Sequence, residues 1–66
     1  MNLVLKMAII ASGQSQRAIA QAAGLDENKL SRLVRGRDMA TAAQQKALAR
    51  VLRRKLSELF PTRDAA

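Results

Sequence analysis

With 66 residues, the chain has room for one domain and a limited core. It has no Cys and no His, which removes disulfides, thiolate metal sites, the commonest metal ligand and the commonest neutral-pH base, so catalysis, metals and other cofactors are not expected. Twelve Lys plus Arg against five Asp plus Glu give a net charge of +7, a balance that favours a polyanionic partner.

The opening, Met1 to Ala11, is apolar enough to suggest a leader, but Lys6 interrupts it and no basic segment precedes it. It reads as a core helix from about Asn2 to Ser12. Leu3, Met7 and Ile10 stand at i, i+4 and i+7, a stripe expected to face the core. A second helix is predicted from about Gln16 to Ala23, with Ser15 as N-cap; Ile19 and Ala23 face inward, Arg17 and Gln21 outward. A third runs from about Glu27 to Arg35, capped by Asp26, with Glu27 in the first turn complementing the helix dipole. Gly13, Gly24 and Gly36 follow these helices as stops. A fourth helix starts near Ala40 or Thr41. Leu48, Val51 and Leu52 form its apolar stripe, continued by Leu56, Leu59 and Phe60. Whether Arg53 to Lys55 break this segment into a fifth helix is open at this level. Pro61 closes it, and residues 62–66 are expected to form a disordered tail. No apolar run approaches the ~20 residues of a membrane span. With no export signal and no cysteines, the expected compartment is the cytoplasm.

Residues 16–35 form one unit: short helix, Gly24-Leu25-Asp26, then a second helix. Two helices joined so tightly cross steeply and need a small residue at the contact, which Ala20 supplies. Gly24 supplies a positive φ, and Leu25 anchors the turn. At 100° per residue, Leu30, Leu33 and Val34 mark the buried side of the later helix. Asn28, Arg32 and Arg35 fall opposite, with Lys29 and Ser31 on the flanks. Such a face suits base edges and phosphates: Asn pairs bidentately with adenine, and Arg with guanine O6 and N7. The charge is concentrated here too. Lys29, Arg32, Arg35, Arg37, Lys46, Arg50, Arg53, Arg54 and Lys55 lie in a stretch whose one acid is Asp38. The stripe of Lys46, Arg50 and Arg53 reads first as a solvated face and second as added phosphate contact.

The stretch Gln16-Arg-Ala-Ile-Ala-Gln-Ala-Ala-Gly24-Leu-Asp-Glu-Asn-Lys-Leu30-Ser-Arg-Leu33-Val-Arg-Gly36 resembles the helix-turn-helix of the Cro and phage-repressor (Xre-like) family. Shared features are Gln at the start of the second helix, Ala four residues on, Gly at the turn, apolar residues six and nine after it, and a closing loop Gly. The likeness covers roughly Leu3 to Pro61. It implies an all-α, compact four- to five-helix, lambda-repressor-like domain that binds double-stranded DNA, usually as a homodimer on a palindromic operator. By position, the resemblance gives Gln16 to a phosphate, Glu27, Asn28 and Arg32 to base reading, and Lys29, Arg37 and Thr41 to backbone or loop contacts. Arg35 joins the base-reading set from the face reading above, and Arg17 and Ser31 the phosphate-binding set. Glu27 either accepts from cytosine N4 or only serves the helix dipole. One departure stands out: where the family often has Leu-Gly-Val before its last helix, this chain has Leu52-Arg53-Arg54-Lys55.

The leading expectation is therefore a sequence-specific, double-stranded-DNA-binding transcriptional regulator, a repressor of phage or mobile-element type, bacterial or phage-encoded, with no small-molecule ligand. Cro-like regulators and restriction-modification controllers are nearest in scale. The competing expectation is an antitoxin-like or adaptor module that uses the same fold to bind protein, marked by an exposed apolar patch. RNA or single-strand binding is disfavoured, because such proteins stack bases on aromatic rings and Phe60 is the one aromatic residue. A membrane-surface peptide is disfavoured because the apolar stripes can satisfy one another in a bundle.

Overall fold

A computed structural model describes residues 1–61, and the expected tail at residues 62–66 lies outside the described residues. Five helices follow in order: α1 (Leu3–Ala11), α2 (Gln16–Ala23), α3 (Glu27–Arg35), α4 (Ala42–Leu52) and α5 (Leu56–Leu59). The described residues contain no strand, and none of their helices is long and apolar enough to cross a membrane.

One device ends three of these helices. Gly24, Gly36 and Arg53 take left-handed backbone, with φ of 74°, 77° and 57°. The next N–H then reaches back over the helix end: Leu25 to the Ala20 carbonyl at 2.8 Å, Arg37 to Arg32 at 2.9 Å and Arg54 to Ala49 at 3.1 Å. These bonds satisfy carbonyls that a helix terminus leaves without partners. The break after Leu52 thus belongs to α4 itself, and the apolar stripe from Leu48 to Phe60 is divided between α4 and α5.

The helix starts are capped in different ways. The Ser15 hydroxyl accepts from the Ala18 N–H at 3.1 Å. Thr41 and Gln44 form a reciprocal box, with the Thr41 hydroxyl accepting from Gln44 N–H at 3.1 Å and the Gln44 side chain accepting from Thr41 N–H at 2.9 Å. Asp26 stands at the N-cap of α3 as expected, yet its side chain makes no cap hydrogen bond.

Each helix gives the core one side chain with no exposed surface: Leu5, Ile19, Leu30, Leu48 and Leu59. Burying each is worth roughly 1.5–3 kcal/mol relative to exposure. Ala8, Ile9, Ala20, Leu33, Val34 and Leu52 complete this core. Val51, Leu56 and Phe60, expected in its stripe, are half-buried, as is Ala23.

The expected inner face of α1 is corrected. Leu3, Met7 and Ile10 are 60%, 66% and 67% exposed, and Leu5, Ala8 and Ile9 point inward instead. Lys6 apart, the helix is apolar around its circumference, so periodicity chooses its rotation only weakly. Asn2 chooses it. Its backbone N–H donates to the Val34 carbonyl at 2.9 Å, its side-chain amide donates to the Leu59 carbonyl at 2.7 Å, and its Oδ1 accepts from Leu5 N–H at 3.0 Å.

Candidate nucleic-acid interface

The site begins at the turn between α2 and α3. Ala20 is 1% exposed, buried beside Ile19 on the inner side of α2. Gly24 turns the chain and Leu25, half-buried, packs on the core behind it. This pins α3 by its apolar side, through Leu30, Leu33 and Val34.

The opposite side of α3 is free. Glu27, Asn28, Arg32 and Arg35 are exposed, and Lys29 and Ser31 are half-buried on the flanks. Around this face lie Arg17, exposed on α2, and Arg37, exposed just past α3. Gln16 is half-buried in the first turn of α2. Thr41 is exposed at the start of α4, and because its oxygen already accepts the Gln44 N–H, its O–H remains able to donate. The second basic stripe, Lys46, Arg50 and Arg53, is exposed on α4 and at its end.

Two of these residues are drawn together by a third. Asp38, in the loop after α3, pairs with Lys29 Nζ at 3.0 Å and with Arg32 Nε at 3.2 Å, both through Oδ2. Its Oδ1 accepts from Met39 N–H at 2.7 Å. Lys29 also donates to the Met39 carbonyl at 3.0 Å. The Lys29 bond, then the Met39 N–H, then Arg32 hold the Asp38 carboxyl below its ordinary value, at about 2. Among the described residues, Arg17, Arg35 and Arg37 have no such partner. In the sequence, Asp38 stands out only as the one acid of a basic stretch. Its role depends on the left-handed turn at Gly36, which folds the loop back along α3.

A family model described as a helix-turn-helix domain matches residues 4–59. A search of curated proteins and a search of solved structures each returned no match.

Proposed function

The chain belongs to the helix-turn-helix domain family, within the Xre/Cro-like group of DNA-binding domains, and we propose that it is a sequence-specific regulator, a cytoplasmic repressor of phage or mobile-element type, with residues 1–61 as its DNA-binding domain. The observation that carries this reading is the exposed polar face of α3 directly behind the Ala20–Gly24 turn. In it, α3 enters the major groove. Glu27, Asn28, Arg32 and Arg35 meet base edges, while Gln16, Arg17, Lys29, Ser31, Arg37 and Thr41 meet phosphates.

The operator is palindromic and is bound by a homodimer. The surface that supports self-association is the outer face of α1, where Leu3, Val4, Met7 and Ile10 are 60%, 48%, 66% and 67% exposed. Val4, Met7, Ala8 and Ala11 line a groove there, flanked by Arg54 and Glu58. The rim carries one charge of each sign, which a two-fold pairing of like faces can use. Four side chains are far fewer than the roughly 20–30 residues a side of a stable interface, so the dimer is weak until two half-sites hold it.

The same exposed stripe favours one second reading, a module that binds a different protein through α1. Selection of bound sites from a random duplex pool separates the two. An enriched palindrome supports the regulator; no enrichment, with α1 capturing another chain, supports the module.

A further inference from the structure

Among the described residues, Asp38 is the acid that the loop after α3 brings against the proposed DNA-facing side of that helix. It neutralises part of that side's charge, and it does so in a particular geometry. Lys29 Nζ is held between the Asp38 carboxylate at 3.0 Å and the Met39 carbonyl at 3.0 Å. Its side chain is 21% exposed, against 49% for Arg32. Arg32 gives Nε to Asp38 at 3.2 Å, which restrains the guanidinium. Arg presents its donors as a rigid fork, so holding Nε narrows the directions open to the two terminal nitrogens.

We propose that Asp38 is a positioning residue that sets sequence discrimination, by weakening the contact of Lys29 with the DNA backbone and restraining the orientation of Arg32 for base reading. The proposal rests on the reading of α3 as the DNA-facing helix. A free Lys29 would strengthen every phosphate contact alike and add no discrimination. A free Arg32 would meet phosphates and wrong bases in several poses. The carboxylate therefore exchanges sequence-indifferent affinity for selectivity.

The test compares the parent with Asp38→Asn and Asp38→Glu on a selected duplex and on its scrambled counterpart, across 50–200 mM salt, at a temperature where circular dichroism shows all three folded. For Asp38→Asn, scrambled-duplex affinity should rise at least threefold at the low-salt end, and the slope of log K against log salt should steepen by about one per bound protomer. The ratio of selected to scrambled affinity should fall by about tenfold, the loss expected when one bidentate base contact is loosened. Asp38→Glu keeps the charge and should restore the parent slope. Lys29→Met provides a readout that a merely structural loop residue would not move: it should weaken scrambled-duplex binding more in the Asp38→Asn background than in the parent. An unchanged ratio, or equal weakening of both duplexes with an unchanged slope, overturns the inference while leaving the DNA reading intact. A parent chain that prefers no duplex at all overturns both.

Discussion

The side-chain amide of Asn2 donates to the backbone carbonyl of Leu59 at 2.7 Å, across 57 positions of sequence. The same residue caps α1 through its Oδ1 and gives its backbone N–H to Val34 at the end of α3. One short side chain thus joins the beginning of the fold to its last helix. Asn2→Ala should cost about 1–3 kcal/mol, combining a lost cap with a lost bond to the carbonyl of buried Leu59. Asn2→Asp keeps the cap acceptor but turns a carboxylate oxygen toward the Leu59 carbonyl. Urea unfolding should therefore place it well below the parent. An Asp variant as stable as the parent would show that the Leu59 bond contributes nothing.

What could and could not be read from the sequence follows from the same residue. In α3 the contrast between Leu30, Leu33, Val34 and the polar residues around them is sharp, so a single rotation satisfies it, and the face presented to solvent matches that expectation. In α1 both Leu3-Met7-Ile10 and Leu5-Ala8-Ile9 make an apolar stripe, and only bonds to Val34 and Leu59, distant in sequence, choose between them. Asp38 was invisible for a related reason. Its contacts with Lys29 and Arg32 depend on the path of the loop beyond Gly36 rather than on helical spacing.

Arg53 holds left-handed backbone at φ 57°, in the same motif that Gly24 and Gly36 complete for α2 and α3. A side chain there costs about 1–2 kcal/mol that glycine does not incur, while glycine raises the entropy of the unfolded chain by a smaller amount. Arg53→Gly should raise thermal stability by up to about 1 kcal/mol. The converse changes should differ from each other. A Cβ at Gly24 meets nothing within 4 Å, whereas at Gly36 it comes 3.1 Å from the Met1 nitrogen. Gly36→Ala should melt lower than Gly24→Ala, and equal melting temperatures would refute the close approach of the N-terminus to Gly36.

Asp38 also makes a prediction about acid. Its folded carboxyl lies at about 2, below the ordinary 3.8, because Lys29, the Met39 N–H and Arg32 favour the charged form. A depressed value contributes stability that is complete above about pH 4 and is lost as pH falls toward 2. The pair is solvent-accessible, so salt should shrink the effect. Asp38→Asn should flatten the dependence of melting temperature on pH in that window and leave its shape elsewhere unchanged. A parent-like acid limb in the variant would mean that the carboxylate is unpaired in solution.

The outer face of α1 should be dispensable for folding and needed for pairing. Met7 and Ile10 are about two-thirds exposed, so Met7→Glu with Ile10→Glu should leave the thermal transition close to that of the parent. Sedimentation at high protein concentration should show the parent associating and the double variant remaining monomeric. The variant should still occupy a half-site but lose its cooperative hold on the full palindrome. Because copies of net charge +7 repel one another, parent association should strengthen as salt rises. A double variant that sediments like the parent would place the dimer seam elsewhere.

The proposed division of labour across α3 and its surroundings gives the sharpest test of the site. Asn28 and Arg32 are exposed on the side of α3 opposite Leu30 and Leu33, where base edges would lie. Asn28→Ala and Arg32→Ala should each lose roughly 1–3 kcal/mol on the best duplex and relax preference at particular base pairs. Arg17→Ala and Arg37→Ala should instead weaken all duplexes by a similar factor and reduce the salt slope by about one each per bound protomer. Neither arginine has an ion-pair partner among the described residues, so their removal leaves no buried group unsatisfied and should not unfold the chain. Arg32 differs, because its loss also releases one of the two cations on Asp38. For that reason Arg32→Ala should alter the response to Asp38→Asn, whereas Arg37→Ala should add to it independently. Binding measured on the full set of single and paired variants, against the selected duplex and its single-base changes, checks each of these outcomes. If Arg32→Ala leaves base preference intact while Arg37→Ala changes it, the recognition surface lies on the loop beyond Gly36 rather than on α3.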